Sequence, residues 1–297
     1  MNQEIEYQSG WGNEFSSEAL PHSLPVEKNN PQKVPKGLYA EQLSGSAFTA
    51  YPEDNLRTWL YKAAPSVDQS PYQLMKQFAA HWYTPPHETF ISTPERLRWD
   101  PLPVAKNKAD FVESIFTVAA NGDVNTREGS SVHLYCANQS MDKRAFQNND
   151  AEMLIVPQEG GLTVRTEMGV LKVKPTEILL VPRGVKFKVK LETETARGYI
   201  CENFGAPFQL PYRGPIGANG LASRRHFLAP HASFETQSQK YELITKFQGA
   251  FWQAQLESTP FDVVAWTGNY VPYKYDLNLY NTIGSISFDH PDPSIFT

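Results

Sequence analysis

Short apolar runs separated by Gly and Pro dominate the middle of the chain. Between Ala151 and Lys190 the pattern is densest. Leu154-Ile155-Val156 reads as a strand and Glu159-Gly160-Gly161 as a turn. Leu162 to Thr166 alternates apolar and polar, Met168-Gly169 marks another turn, and Val170 to Val173 follows. Pro175 and Glu177 lead into Ile178 to Val181. Pro182-Arg183-Gly184 then reverses the chain into Val185 to Leu191, where lysines alternate strictly with apolar residues. Alternation with period two is the mark of a strand with one buried face. Several such strands in succession predict a mainly all-β fold, a jelly-roll β-sandwich or barrel with few short helices. Arg57 to Tyr61 is a further strand, and a second strand-rich stretch runs from about Lys246 to Val264. Leu74, Met75, Phe78 and Ala79 stand at helical spacing and predict a short helix over 70–80. Pro85-Pro86 ends any regular element after it. No internal repeat or low-complexity tract interrupts this pattern.

The first 55 residues differ from the rest. They are rich in Gly, Ser, Pro and Asn, with single aromatics between them. They predict an extended arm that packs on the body or on a neighbouring subunit, with Trp11, Phe15, Leu38, Tyr39 and Phe48 pinning it to a surface. Residues 56–280 then form the β domain. The Gly-rich segment 214–219 could separate layers but gives no firm boundary.

Composition adds limits. Of 297 residues, 12% are aromatic, 18 are Gly and 23 are Pro, a usage suited to many short strands joined by turns. A net charge of −5 argues against a nucleic-acid or membrane-surface partner, which needs a clustered positive field. Cys136 and Cys201 are too few for a disulfide framework, so a reducing cytoplasm is the expectation. The N-terminus lacks the basic and apolar regions of a signal peptide. No apolar run approaches the ~20 residues that cross a bilayer.

The Pro182-Arg183-Gly184 turn resembles the second motif of the cupin family. A metal-binding cupin places histidine shortly after this turn and a histidine pair in the preceding motif. Here the first position is Phe187. Asn148, Asn149 and Asp150 stand upstream of Glu152, where the pair belongs. The expectation is a metal-free barrel with Phe187 in its core. Other histidines carry the right atoms without a fixed frame. His81, His87 and Glu88 could serve non-haem iron, but Pro85-Pro86 makes their segment a stiff loop, and a bland role is favoured. His226 and His231 read as loop residues, one packed on Phe227. His133 alternates with Val132 and Leu134, which points it to solvent or into a hydrogen bond. Arg224-Arg225 is too small a cluster for a nucleic-acid patch. No phosphate loop, nucleophile elbow or zinc motif is present. His290 stands between Asp289 and Pro291-Asp292-Pro293, ahead of the apolar run Ile295-Phe296. By spacing alone it reads equally as a surface turn residue or as an imidazole delivered to a site.

Several strings weigh on that choice. YQSGWGNEFSSEALP, GLYAEQLSGSAFTA, GPIGANGLASRRHFL, VVAWTGNYVPYKYDL and FDHPDPSIFT occur in this order from about Tyr7 to Thr297. Together they resemble the N-terminal portion of the homogentisate 1,2-dioxygenase family. The resemblance implies an Fe(II)-dependent enzyme that opens the ring of homogentisate with O2 to give 4-maleylacetoacetate, in tyrosine and phenylalanine catabolism. It implies a homo-oligomer, a hexamer built as a dimer of trimers. It makes His290 the catalytic acid–base residue. It also places the family's iron ligands in a second, iron-binding cupin domain, which 281–297 would begin, so no iron is expected on this chain alone. The alternative is a non-catalytic, metal-free β module for oligomerisation or binding.

Overall fold

The computed structural model describes residues 14–26, 30–76, 78–87, 93–96, 98, 100–211, 221–236 and 239–280. In chain order the strands are β1 (Phe15–Glu18), β2 (Tyr39–Ser44), β3 (Arg57–Lys62), β4 (Gln73–Leu74), β5 (Ile115–Asp123) and β6 (Glu128–Ala137). Next come β7 (Arg144–Asn148), β8 (Glu152–Glu159), β9 (Leu162–Thr166), β10 (Gly169–Val173), β11 (Glu177–Val181) and β12 (Lys186–Leu191). The last are β13 (Ala196–Asn203), β14 (Tyr241–Phe247), β15 (Ala250–Leu256), β16 (Val263–Gly268) and β17 (Tyr273–Asp276). Three short 3-10 turns are the helical content of the described residues.

Two large sheets face each other. The seven-stranded sheet runs β10-β9-β12-β7-β14-β15-β4, and the six-stranded sheet runs β17-β11-β8-β13-β6-β5. Their inner faces share one core, with Phe146, Val164, Phe187 and Val189 from the first and Tyr135, Ile155, Leu179 and Ile200 from the second. The alternation in the sequence sets these faces. In β12, Phe187, Val189 and Leu191 are buried while Lys190 is exposed. Phe187 meets Phe146 edge-on at 5.7 Å between ring centroids, an arrangement that the ring quadrupoles favour. The Pro182-Arg183-Gly184 turn needs a glycine, because Gly184 adopts φ 86° while its N–H donates to the Asn148 carbonyl at 2.8 Å.

The arm becomes part of a third sheet, four strands in the order β1-β16-β3-β2. β1 pairs antiparallel with β16, and β2 with β3. Phe15 packs against the main core, but Phe48 is 90% exposed and pins nothing. Trp11 lies outside the described residues. This sheet is joined to the barrel by a buried cluster of charges. Lys62 lies 2.9 Å from Asp262 and 3.6 Å from Glu167, and Glu167 also meets Lys186 at 3.1 Å. Burial alone would raise the Glu167 pKa, but the charges of Lys186 and Lys62 hold it below the usual carboxylate range.

The helix expected over 70–80 does not form. β4 pairs with β15, and the Met75 N–H continues the ladder to the Phe251 carbonyl at 2.9 Å. Ala79 sits at φ 47°, which no α-helix tolerates. The free edge of β15 offered backbone partners that outweighed the local spacing of Leu74, Met75, Phe78 and Ala79. Phe187→Ala should lower the unfolding free energy by ~3–5 kcal/mol, read from the urea midpoint. A loss below ~1 kcal/mol would mean that the interior does not depend on this ring.

Candidate functional site

At one end of the sandwich the core stops being apolar. Glu202 follows Ile200 on the inward register of β13, Asn148 follows Phe146 on β7, and Lys246 follows Ile244 on β14. Strand register places Lys246 beside Asn148, and His133 of β6 beside Thr117 of β5. Glu202 joins these pairs across the interior. One carboxylate oxygen accepts from Asn148 Nδ2 at 2.6 Å and from Lys246 Nζ at 2.7 Å. The other accepts from Trp82 Nε1 at 3.0 Å and lies 3.0 Å from His133 Nε2. His133 Nδ1 is 2.9 Å from Thr117 Oγ1, so both imidazole nitrogens are engaged.

Lys246 also lies 3.2 Å from Asp150, and its ammonium sits over the rings of Trp82 and Phe204 at 5.4 and 5.3 Å. Asp150 in turn accepts from the Gln248 and Gly249 N–H groups of the β14–β15 turn. The side chains of Glu202, Lys246 and His133 are fully buried. Burial would raise the Glu202 pKa. The Lys246 charge and the His133 hydrogen bond overcome it and hold the carboxyl far below the ordinary range.

In the sequence, the cupin-type ligand positions fall at Phe187 and at Asn148 to Asp150. Phe187 is a core ring, Asn148 donates to Glu202, and Asp150 is taken by Lys246 and two backbone N–H groups. Among the described residues no group of three or more His, Cys, Asp and Glu side chains is placed to hold a metal ion. An ammonium set between two carboxylates supplies the positive charge there, so this donor set does not fit iron.

The other histidines are dispersed. His81 is tilted against Phe116 at 5.7 Å, and His87 lies edge-on to Tyr83 at 4.8 Å; Glu88 lies outside the described residues. Phe227 stacks on Tyr275 at 4.5 Å, not on His226 or His231 as the sequence suggested, because the Leu228–Lys274 bridge brings this segment beside β17. His133 is buried and hydrogen-bonded, so its solvent-facing alternative is wrong. Val132 and Leu134 occupy the half-buried outer face of β6 instead. His290 lies outside the described residues.

A family model described as homogentisate 1,2-dioxygenase N-terminal matches residues 6–277. The chain belongs to the homogentisate 1,2-dioxygenase N-terminal family. Solved structures give more distant matches to this family member. A cupin-2 domain protein from Shewanella frigidimarina is 17% identical, with a TM-score of 0.26 over 30% of this chain and 79% of that one. An RmlC-like cupin from Methanocaldococcus jannaschii with a double-stranded β-helix fold is 13% identical, with a TM-score of 0.29 over 39% and 95%. A putative glyoxylate-induced protein from Pseudomonas aeruginosa is 15% identical, with a TM-score of 0.26 over 54% and 78%. No helix among the described residues of this homogentisate 1,2-dioxygenase N-terminal domain is long and apolar enough to cross a membrane.

Sequence reasoning missed Glu202 and Lys246 as partners. The available signal was a single charge on the apolar register of each strand, in Ile200-Cys201-Glu202 and Ile244-Thr245-Lys246. Lys246→Met should cost ~3–5 kcal/mol of stability, because it leaves Glu202 and Asp150 buried without their cation. Pairing it with Glu202→Gln should recover part of that loss in urea unfolding. The pH response follows from the lowered Glu202 pKa. Its stabilisation is complete above the unfolded carboxylate pKa of ~4.3 and declines as pH falls from there toward the folded value. Glu202→Gln should flatten that acid limb of a plot of urea midpoint against pH. An unchanged limb would place the acid response elsewhere.

Proposed function

We propose that this chain is the N-terminal part of a homogentisate 1,2-dioxygenase, a ring-cleaving enzyme of tyrosine and phenylalanine catabolism working in the cytoplasm. The observation that carries the reading is the family match over residues 6–277. In the proposed reaction one ring carbon–carbon bond of homogentisate breaks and both atoms of O2 enter the product, 4-maleylacetoacetate. His290 is the proposed acid–base residue. Its imidazole takes the proton of a ring hydroxyl, which raises electron density on the ring that O2 attacks.

The family's Fe(II) finds no fitting donor set among the described residues. The barrel's part in this reading is a scaffold whose interior is closed by its own ion pairs. The proposed assembly is the hexamer of the resembled enzymes. A second reading, a non-catalytic β module for oligomerisation or binding, is favoured by the ammonium-centred network at the cupin ligand positions.

The test uses the full-length enzyme carrying this sequence. His290→Gln should lower turnover of homogentisate by ~10²–10⁴-fold, the usual contribution of a proton-transferring group. Iron content should stay unchanged, and the pH profile should lose an ionisation near neutrality. Iron lost in step with activity would make His290 a ligand. Unchanged activity and iron would make it a turn residue. An unaltered protein that does not consume homogentisate would favour the module.

A further inference from the structure

The six-stranded sheet is apolar on both faces. An antiparallel sheet with one face in the core commonly turns polar side chains to water on the other. Residues directly opposite one another in a ladder share a face, so the register defines two outward rows across the middle of this sheet. One row runs Leu134–Tyr199–Val156 and the next Val132–Cys201–Leu154. Leu180 of β11 extends the second row. All seven side chains are half-buried, and none belongs to the packed apolar clusters. The outer face of the seven-stranded sheet is different. It carries Arg165 and Lys188, both paired with Glu235, and its apolar residues Ala145, Tyr241 and Leu243 pack against Phe261 of the same chain.

The two rows end in polar residues. Toward the start of β13 the next outward residue is Arg197, whose Nε lies 3.5 Å from the Glu159 carboxylate of β8. Toward its end Asn203 stands opposite Ser130. An apolar centre with a polar rim is the anatomy of a protein–protein interface. With strands ~4.8 Å apart and alternate residues of a strand ~7 Å apart, the rows cover about 300 Å². A rim one side chain wide brings the face to the ~800 Å² that each side of a stable dimer buries.

We propose that this face docks a second copy of the same chain. Charge selects that occupant. No ionised side chain stands in the two rows, so the face meets itself without repulsion, and its Arg197–Glu159 end carries both signs. A two-fold axis running along the strands, between β8 and β13, lays β13 of one copy over β8 of the other. Arg197 of each copy then faces the partner's Glu159, and Cys201 enters the apolar centre of the interface. Sheets packed face to face in this way keep their strands within about 30° of one another. The surface adds to the assembly proposed above the place where two copies meet, and it stands apart from the ring-cleavage reading.

Sedimentation of the 297-residue chain should show association with a Kd of about micromolar or tighter, the range open to an interface of this size. Cys136 is buried, so Cys201 is the thiol that a reagent reaches in the monomer. Its rate of labelling should fall as rising protein concentration forms the dimer. Leu154→Lys places an unpaired charge in the apolar centre and should raise Kd at least about tenfold while circular dichroism stays native. Arg197→Glu should raise Kd about two- to fivefold, as expected of a rim ion pair, and adding Glu159→Arg should restore it. A chain that stays monomeric would overturn the proposal. A monomer with an unreactive Cys201 would do so by showing that a segment of its own chain covers the face. A dimer that leaves Cys201 labelling unchanged, or that survives Leu154→Lys, would put the interface elsewhere. Failure of the charge swap to restore Kd would overturn the two-fold arrangement.

Discussion

Glu202 is the residue on which the closed end of the barrel depends. It stands on the six-stranded sheet and is bonded to Asn148 and Lys246 of the seven-stranded sheet and to Trp82 of the loop that covers the end. An apolar residue there would pack the sheets with no preference for one register. A buried carboxylate is less forgiving, because each of its oxygens must find donors or the charge is stranded in a medium that cannot solvate it. Four donors from different segments converge on it. The sheet spacing, the pose of Trp82 and the path of the β14–β15 turn are thereby fixed together.

The same network changes what this fold can do. A cupin interior can direct imidazoles and a carboxylate at one point, which is what a metal ion requires. Here Phe187 is part of the core, and Asp150 and Glu202 both meet the Lys246 ammonium. An ammonium balances the carboxylates but offers no open coordination position and no redox chemistry. With these side chains engaged by one another, this end of the interior is an ion-paired core.

Much of the architecture was legible because alternation is a local property. Leu162 to Thr166 and Val185 to Leu191 could be assigned to strands, and Phe187 to the core, without knowing their neighbours. The failures came where partners distant in sequence decide. The apolar spacing around Phe78 suggested a helix until β15 supplied a free edge. His133 does lie opposite Val132 and Leu134 and is hydrogen-bonded, but that its face is the buried one, beside Glu202, could not be read from those neighbours. Glu202 and Lys246 lie 44 residues apart, and only the three-dimensional register shows that they meet. His290 owes its assignment to resemblance, since one imidazole in a proline-rich turn has no local pattern that declares a role.

The β7–β14 ladder is parallel and joins Arg144 to Glu242 across a separation of 98 residues. During synthesis, β7 emerges with Asn148 and Asp150 long before its neighbour in the sheet exists. β13 supplies Glu202 44 residues ahead of the lysine that pairs with it. Without Lys246, Glu202 and Asp150 would be two buried carboxylates lacking their cation. Long-range pairing of this kind slows folding. Burying Glu202 and Asp150 as a charged pair therefore requires β14, the strand that carries Lys246, to be in place.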